Sequence, residues 1–125
     1  NKPYKDVDTV RHHDGANHFS ATLPNGCDEA RMMKILKANI DKILSRGKPD
    51  ILLYQAGADP YMEDPYSPLL LDHHALQARD RFVFEFAKAQ GIPVAWVLAG
   101  GYTKDTSKVV QVHVNTFEAC RAVWS

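Results

Sequence analysis

The fold is decided by the stretch Ile51-Leu52-Leu53-Tyr54-Gln55-Ala56-Gly57-Ala58-Asp59-Pro60. It begins with a short, nearly continuous apolar run, a pattern typical of a parallel strand that is buried on both faces. A second run of the same character, Val94 to Leu98, is followed by Gly100-Gly101-Tyr102. The sequence therefore predicts two buried strands, each with a glycine and then a polar side chain beyond its carboxyl end.

Helical periodicity is found beside and between these strands. Asp28 can cap a helix whose apolar residues recur every three or four positions, and Gly47 ends it. A second helix has apolar residues on one face and ends at Gly91. The valines of Thr106 to Trp124 favour a strand, whereas the spacing of its larger apolar residues favours a helix; its length and a cap at Thr106 favour the helix. The second helix presents Leu76, Phe82, Val83 and Phe86.

The order of the elements predicts an α/β fold. A short strand from His18 to Leu23 precedes the first helix, so strands and helices alternate, as they do in parallel sheets with right-handed crossovers. Ligand sites in such sheets lie beyond the carboxyl ends of the strands. Asp59 and Tyr102 are therefore expected in one crevice. On spacing alone, Asp59 could be a metal ligand, a general base or a helix cap.

Several other residues near these strands could have functional roles. Gly100 and Gly101 allow a sharp turn or a close approach to a ligand, and a phenol after them could donate a hydrogen bond to a developing oxyanion. Glu63 and Asp64 lack the spacing of a calcium loop and are predicted to be solvated turn charges. His12 and His13 could be zinc ligands or a general base, but adjacent residues on an extended loop point apart, and no Cys or third His lies at ligand spacing. His73 and His74 are predicted to be surface residues or the first residues of the second helix, and His113 a residue at the edge of the core.

The composition excludes several classes of protein. Fifteen Lys and Arg residues balance fifteen Asp and Glu residues, so no basic excess favours nucleic acid or an anionic membrane surface. The longest mostly apolar run, Ile92 to Gly101, is far shorter than the ~20 residues of a membrane span. Cys27 and Cys120 are expected to be buried thiols in a reducing compartment. We expect a cytoplasmic location, or a nuclear one in a eukaryote.

Six segments of the sequence form a specific pattern in both order and spacing. They are Ala21 to Glu29, Lys48 to Pro60, Glu63-Asp64-Pro65, Arg79-Asp80-Arg81, Gly91 to Val94 and Leu98 to Tyr102. Together they resemble the C-terminal part of the histone deacetylase superfamily over residues 18–120, most specifically in Gly-Ala-Asp-Pro and Gly-Gly-Tyr. The resemblance implies a three-layer, arginase-like α/β fold with a parallel sheet flanked by helices, present as a partial domain over 18–125. Residues 1–17 are polar and have no sustained period, so they are predicted to be a loop or linker.

The resemblance also implies a function. The family removes acetyl groups from lysine side chains or small amines with a zinc ion; by position, Asp59 would be a zinc ligand and Tyr102 the phenol that stabilises the oxyanion, supported by the loop of Gly100 and Gly101. The family's other ligands, an Asp-x-His element, and its His-His base lie well upstream. Asp8 to Gly15 only echoes the ligand element and lies too close to the first strand, so no ligand is placed there.

We therefore expect a C-terminal fragment of a deacetylase-like enzyme, inactive by itself. Because the first residue is Asn and no signal-like segment is visible, the sequence is expected to begin inside a longer protein. The uncovered edge of its sheet would be hidden by self-association or by a companion fragment. The alternative is a non-catalytic α/β binding or assembly module in which Asp59 is structural.

Overall fold

The computed structural model describes residues 21–125. Residues 1–17 and the start of the strand predicted from His18 lie outside this range. Ala21, Thr22 and Leu23, the described part of that strand, form none, since a strand requires a hydrogen-bonded neighbour and β1 and β2 pair only with each other within the described range. The elements are α1 (Glu29–Leu44), β1 (Leu52–Gly57), α2 (His73–Gln90), β2 (Val94–Ala99) and α3 (Thr106–Trp124).

The strands β1 and β2 are parallel and joined by α2, which confirms the predicted α/β class. Their register places Leu52 opposite Val94 and Gly57 opposite Ala99. The backbone N–H of Ala58 extends the pairing by donating to Ala99 O at 2.8 Å. The segments that follow β1 and β2 therefore leave the sheet side by side at the carboxyl ends of the strands.

Aspartates cap all three helices of the described region. Asp28, Asp72 and Asp105 accept hydrogen bonds from backbone N–H groups in the first turns of α1, α2 and α3. The segment from Thr106 to Trp124, whose valines also favoured a strand, is thus the helix α3. Its cap is Asp105 and not Thr106. Asp105 has the extended backbone that a cap requires, and its carboxylate reaches the N–H of Ser107. At the other end of α2, Gly91 adopts the left-handed conformation that stops the helix (φ 61°).

One face of the sheet packs against α2 and α3. Tyr54 and Trp96 both meet the fully buried Phe84 of α2 edge-on, with ring centroids 5.9 and 5.8 Å apart. On the other face, Leu53 is 75% exposed and Val97 60% exposed. The expectation that these strands are buried on both faces is therefore not met within residues 21–125, because both helices cover the same side.

A second core lies under the loops that leave the sheet. Cys27, buried as expected, and Met32 of α1 contribute to it, as do residues on the chain between β1 and α2. Val112 of α3 closes the cluster. Burial raises the pKa of the Cys27 thiol, whereas Cys120 is partly exposed. The buried members of this second core are Cys27, Met32, Ala58, Tyr61, Leu71, Ala75, Leu76 and Val112.

Candidate functional site

Asp59 lies just beyond β1, against the loop that leaves β2. A Cβ atom on Gly100 would come within 2.0 Å of Asp59 Oδ1 and 2.8 Å of its Cγ, and a Cβ on Gly57 within 2.9 Å of Oδ1. The carboxylate thus lies in a space that only glycine at position 100 leaves open. Asp59 is exposed and forms no hydrogen bond with any residue from 21 to 125.

Tyr102 lies at the same edge of the sheet, directly after a turn formed by two glycines. Gly100 and Gly101 have φ angles of 62° and 101°, which a residue with a side chain rarely adopts. A Cβ on Gly101 would also come within 2.5 Å of Val109 Cγ1. The Tyr102 side chain is 55% exposed. The structure thus places Asp59 against the glycine turn that precedes Tyr102, at the edge of the sheet where both strands end.

Asp64 has a different role from the predicted one. It is only 3% exposed, so the expectation of a solvated turn charge is wrong for this residue. Its Oδ2 accepts the backbone N–H of Tyr102 at 2.7 Å, and its Oδ1 accepts that of Tyr66 at 3.0 Å. A buried carboxylate needs such donors. Glu63 does remain exposed, where it pairs with Lys108.

A buried polar cluster lies beneath the end of β1. Asp80 of α2 is fully buried and accepts from Tyr54 Oη, from Arg79 Nε at 2.9 Å and from Thr116 Oγ1 at 2.6 Å. Arg79 Nη1 also donates to Gly57 O at 2.9 Å, which ties α2 to the strand end before Asp59. Burial raises the pKa of Tyr54 well above its usual value; Asp80 adds to this increase, and Arg79 opposes it.

The histidines of the described region occupy helix positions. His73 and His74 begin α2, as expected, and His74 is a surface residue that contacts Glu29 at 2.9 Å. His73 is half-buried: its ring lies 4.5 Å from that of Tyr61, and Nε2 contacts Lys108 O at 3.1 Å. His113 is partly buried on α3, as predicted for a residue at the core edge.

The residues around Asp59 meet part of what a zinc ion requires. An exposed carboxylate backed by glycine, with its oxygens not engaged by described residues, suits one oxygen ligand. Zinc sites of enzymes use three protein ligands. Between residues 21 and 125, no group of three or more His, Cys, Asp or Glu residues is placed to hold a metal. Asp59 therefore fits zinc as one ligand, and residues 21–125 do not complete a set of three.

Comparison with known proteins identifies the family. The family model named histone deacetylase domain matches residues 4–117. This chain belongs to the histone deacetylase family. An uncharacterized protein from Picosynechococcus sp. is 35% identical to this family member over 102 residues, which are 82% of this chain and 34% of that protein. Histone deacetylase 2 from Arabidopsis thaliana is 33% identical over 63 residues, 50% of this chain and 16% of that protein.

A solved structure shows the same deacetylase fold. The acetylpolyamine aminohydrolase from Burkholderia pseudomallei superposes with a TM-score of 0.73 at 19% identity, covering 94% of this chain and 34% of that one. This histone deacetylase family chain thus spans about a third of the length of the cyanobacterial protein and of the aminohydrolase. In residues 21–125, none of the helices has both the length and the apolar character needed to cross a membrane.

Sequence reasoning missed the connections between the site residues. Asp64 was predicted to be a solvated turn charge, and the pair Arg79-Asp80 entered only as part of the family resemblance. Asp64 stands beside prolines in a segment with no periodicity, so no pattern marks it as buried. For Asp80, one signal was available: it lies one helical turn before the buried Phe84, on the apolar face of α2.

Proposed function

We propose that this chain forms the C-terminal part, 18–125, of a zinc-dependent deacetylase that hydrolyses acetyl-lysine or a small acetylated amine. Family membership supports the hydrolase class. One observation carries the proposal: the Asp59 carboxylate lies against Gly100, on the turn that presents Tyr102. A ligand for the metal and a donor for the substrate carbonyl would thus belong to one edge of the sheet.

The residues have distinct roles in the proposed reaction. A zinc ion, when bound, activates water and polarises the acetyl carbonyl. Asp59 would hold this ion through its carboxylate, together with ligands supplied from elsewhere in the protein. Tyr102 donates its phenolic proton in a hydrogen bond to the carbonyl oxygen as negative charge develops there. Gly100 and Gly101 allow both side chains to approach the same space.

The contacts of Asp59 weigh against a purely structural role in a binding or assembly module. A helix cap accepts backbone N–H groups, but α2, the helix after Asp59, is capped by Asp72. Asp59 itself accepts no hydrogen bond from the described residues. What distinguishes Asp59 from other exposed carboxylates is its position against Gly100, and this position supports the ligand role.

The test uses the full-length protein that contains this chain. Acetate release from an acetyl-lysine peptide and from an N-acetylated polyamine is measured, with zinc content determined on the same samples. We expect activity that is lost on chelation and restored by zinc. Asp59→Asn should lose most of the zinc and nearly all hydrolysis, whereas Asp41→Asn, an exposed carboxylate on α1, should change neither. A folded Asp59→Asn protein with full zinc content would refute the ligand assignment.

Two further parts of the proposal concern the cellular setting. We propose a cytoplasmic location, or a nuclear one if the source is a eukaryote. We also propose that the partners are acetylated substrates and that the protein binds neither nucleic acid nor membrane directly. Fractionation of cells that express the tagged full-length protein tests the location, which is the first part. Retention on DNA-cellulose at physiological salt would contradict the second.

A further inference from the structure

Asp64 uses both of its carboxylate oxygens to join two loops. Oδ2 accepts the N–H of Tyr102 at 2.7 Å, in the loop after β2. Oδ1 accepts the N–H of Tyr66 at 3.0 Å, in the loop after β1. Hydrogen bonds to an ionised acceptor are stronger than those between neutral groups, and this carboxylate is only 3% exposed. The two loops that carry the site are thus connected through one buried group.

The loop that holds Asp64 is itself well ordered by hydrogen bonds. The N–H of Asp64 donates to Tyr61 O at 2.9 Å, and its carbonyl accepts the N–H of Ser67 at 3.0 Å. Ser67 Oγ donates to Pro60 O at 3.0 Å, which closes the loop onto the residue after Asp59. Asp64 therefore has a fixed position relative to the end of β1.

Tyr102 depends on this contact because its own segment has little other support. β2 ends at Ala99, and the following Gly100 and Gly101 have φ angles of 62° and 101°. Glycine gives the backbone wide freedom, and within residues 21–125 no strand pairs with the residue that follows. Among the same residues, the Tyr102 ring makes one aromatic contact, edge-on to Tyr66, with ring centroids 5.4 Å apart.

We propose that Asp64 is a positioning residue for Tyr102, which rests on the proposed role of the Tyr102 phenol in hydrolysis. Asp64 fixes the main chain of Tyr102, and Tyr66, held by the other oxygen of the same carboxylate, limits the orientation of its ring. The phenol is thereby presented to the substrate carbonyl before the substrate binds. Asp64 itself contacts neither substrate nor metal.

The primary test is Asp64→Asn in the full-length enzyme. The amide keeps the size of the side chain but has one acceptor oxygen, so its NH2 group faces one of the two N–H donors. We expect kcat to fall by about 10- to 100-fold, as for a misplaced catalytic group, with KM and zinc content unchanged. Glu63→Gln is the matched control: this neighbouring carboxylate is exposed and pairs with Lys108, so kcat should not change.

A double-mutant comparison separates positioning from a general structural effect. In a Tyr102→Phe background, Asp64→Asn should lower kcat no further, because the donor that it positions is absent. An equal fall in both backgrounds would overturn the proposal, as would an unchanged kcat in the folded single variant. If Tyr102→Phe alone leaves kcat unchanged, the proposed function fails instead, which is a distinct result.

A second variant covers the case in which Asp64→Asn does not fold. Tyr66→Ala removes the ring contact at a side chain that is 55% exposed, so folding should be retained. We expect a smaller fall in kcat that again disappears in the Tyr102→Phe background. An unchanged kcat for Tyr66→Ala in that case overturns the proposal.

Discussion

The carboxylate of Asp59 occupies the place into which any side chain at Gly100 would project. The distance from Oδ1 to a Cβ built on Gly100 would be 2.0 Å, well inside the contact distance of real atoms. Asp59, two residues beyond β1, and Gly100, directly after β2, are therefore mutually dependent. This dependence can be tested from the glycine side without altering the proposed ligand.

Gly100→Ala should displace the Asp59 carboxylate and weaken zinc binding in the full-length enzyme. Alanine at position 100 would also have to adopt a left-handed backbone conformation (φ 62°), which costs about 1–2 kcal/mol for residues with a side chain. Gly26→Ala separates the two effects, because Gly26 has a similar φ of 71° and open space around its Cβ position. Isothermal titration with zinc should show weakened binding for Gly100→Ala only. Equal zinc affinity in the two variants would contradict the arrangement.

Tyr102→Phe should lower kcat by about 10²–10³-fold while zinc content stays the same. The substitution removes one oxyanion donor and keeps the ring. Tyr66→Phe is the control, since it keeps the edge-on contact with the Tyr102 ring. Steady-state kinetics with an acetyl-lysine peptide provide the measurement, and an unaltered kcat would assign Tyr102 to packing.

Asp80→Ala should strongly destabilise the protein. It removes a buried partner of Arg79, Tyr54 and Thr116, and loss of one member of a buried ion pair costs about 3–5 kcal/mol. Glu85→Ala breaks another arginine–carboxylate pair on the same helix, but at an exposed site, where such pairs contribute about 0–1 kcal/mol. Urea unfolding of both variants gives the comparison. Similar unfolding free energies would show that the Asp80 cluster contributes little.

The folded protein should lose stability at alkaline pH through Tyr54. Burial raises the pKa of this phenol above its ordinary value of 10.0, so above pH 10 the unfolded state releases the proton first. The contribution of Tyr54 is complete below pH 10 and decreases as pH rises beyond it, by about 1.4 kcal/mol per pH unit. Urea unfolding between pH 9 and 11 should show a shallower decline for Tyr54→Phe. An unchanged slope would contradict the prediction.

The exposed face of the sheet should make residues 1–125 self-associate when they are produced alone. Leu53 and Val97 are large apolar residues there, 75% and 60% exposed, and such patches favour association. Light scattering should detect oligomers that Leu53→Lys reduces, whereas Ile43→Lys on α1 should not. A monodisperse monomer that binds zinc and hydrolyses an acetyl-lysine amide would show instead that these residues suffice for activity.

The sequence was sufficient to predict the parts of the structure that depend on local patterns. Apolar runs and glycine stops located β1 and β2, and parallel topology then placed Asp59 and Tyr102 at one edge. The burial of Asp64 was not predictable, because it depends on a contact with a residue far along the chain. The uncovered face of Leu53 was missed because an apolar strand indicates burial without specifying which residues cover it.

The hydrogen bond from Tyr102 to Asp64 comes from the main chain, so it does not depend on the side chain at position 102. Every amino acid except proline has the N–H that this contact requires. A single base change converts a tyrosine codon to one for phenylalanine or histidine. Under the proposed role of Tyr102, such a change removes the oxyanion donor and leaves the loop intact, so the chemistry of this position can change in evolution without a change in the fold.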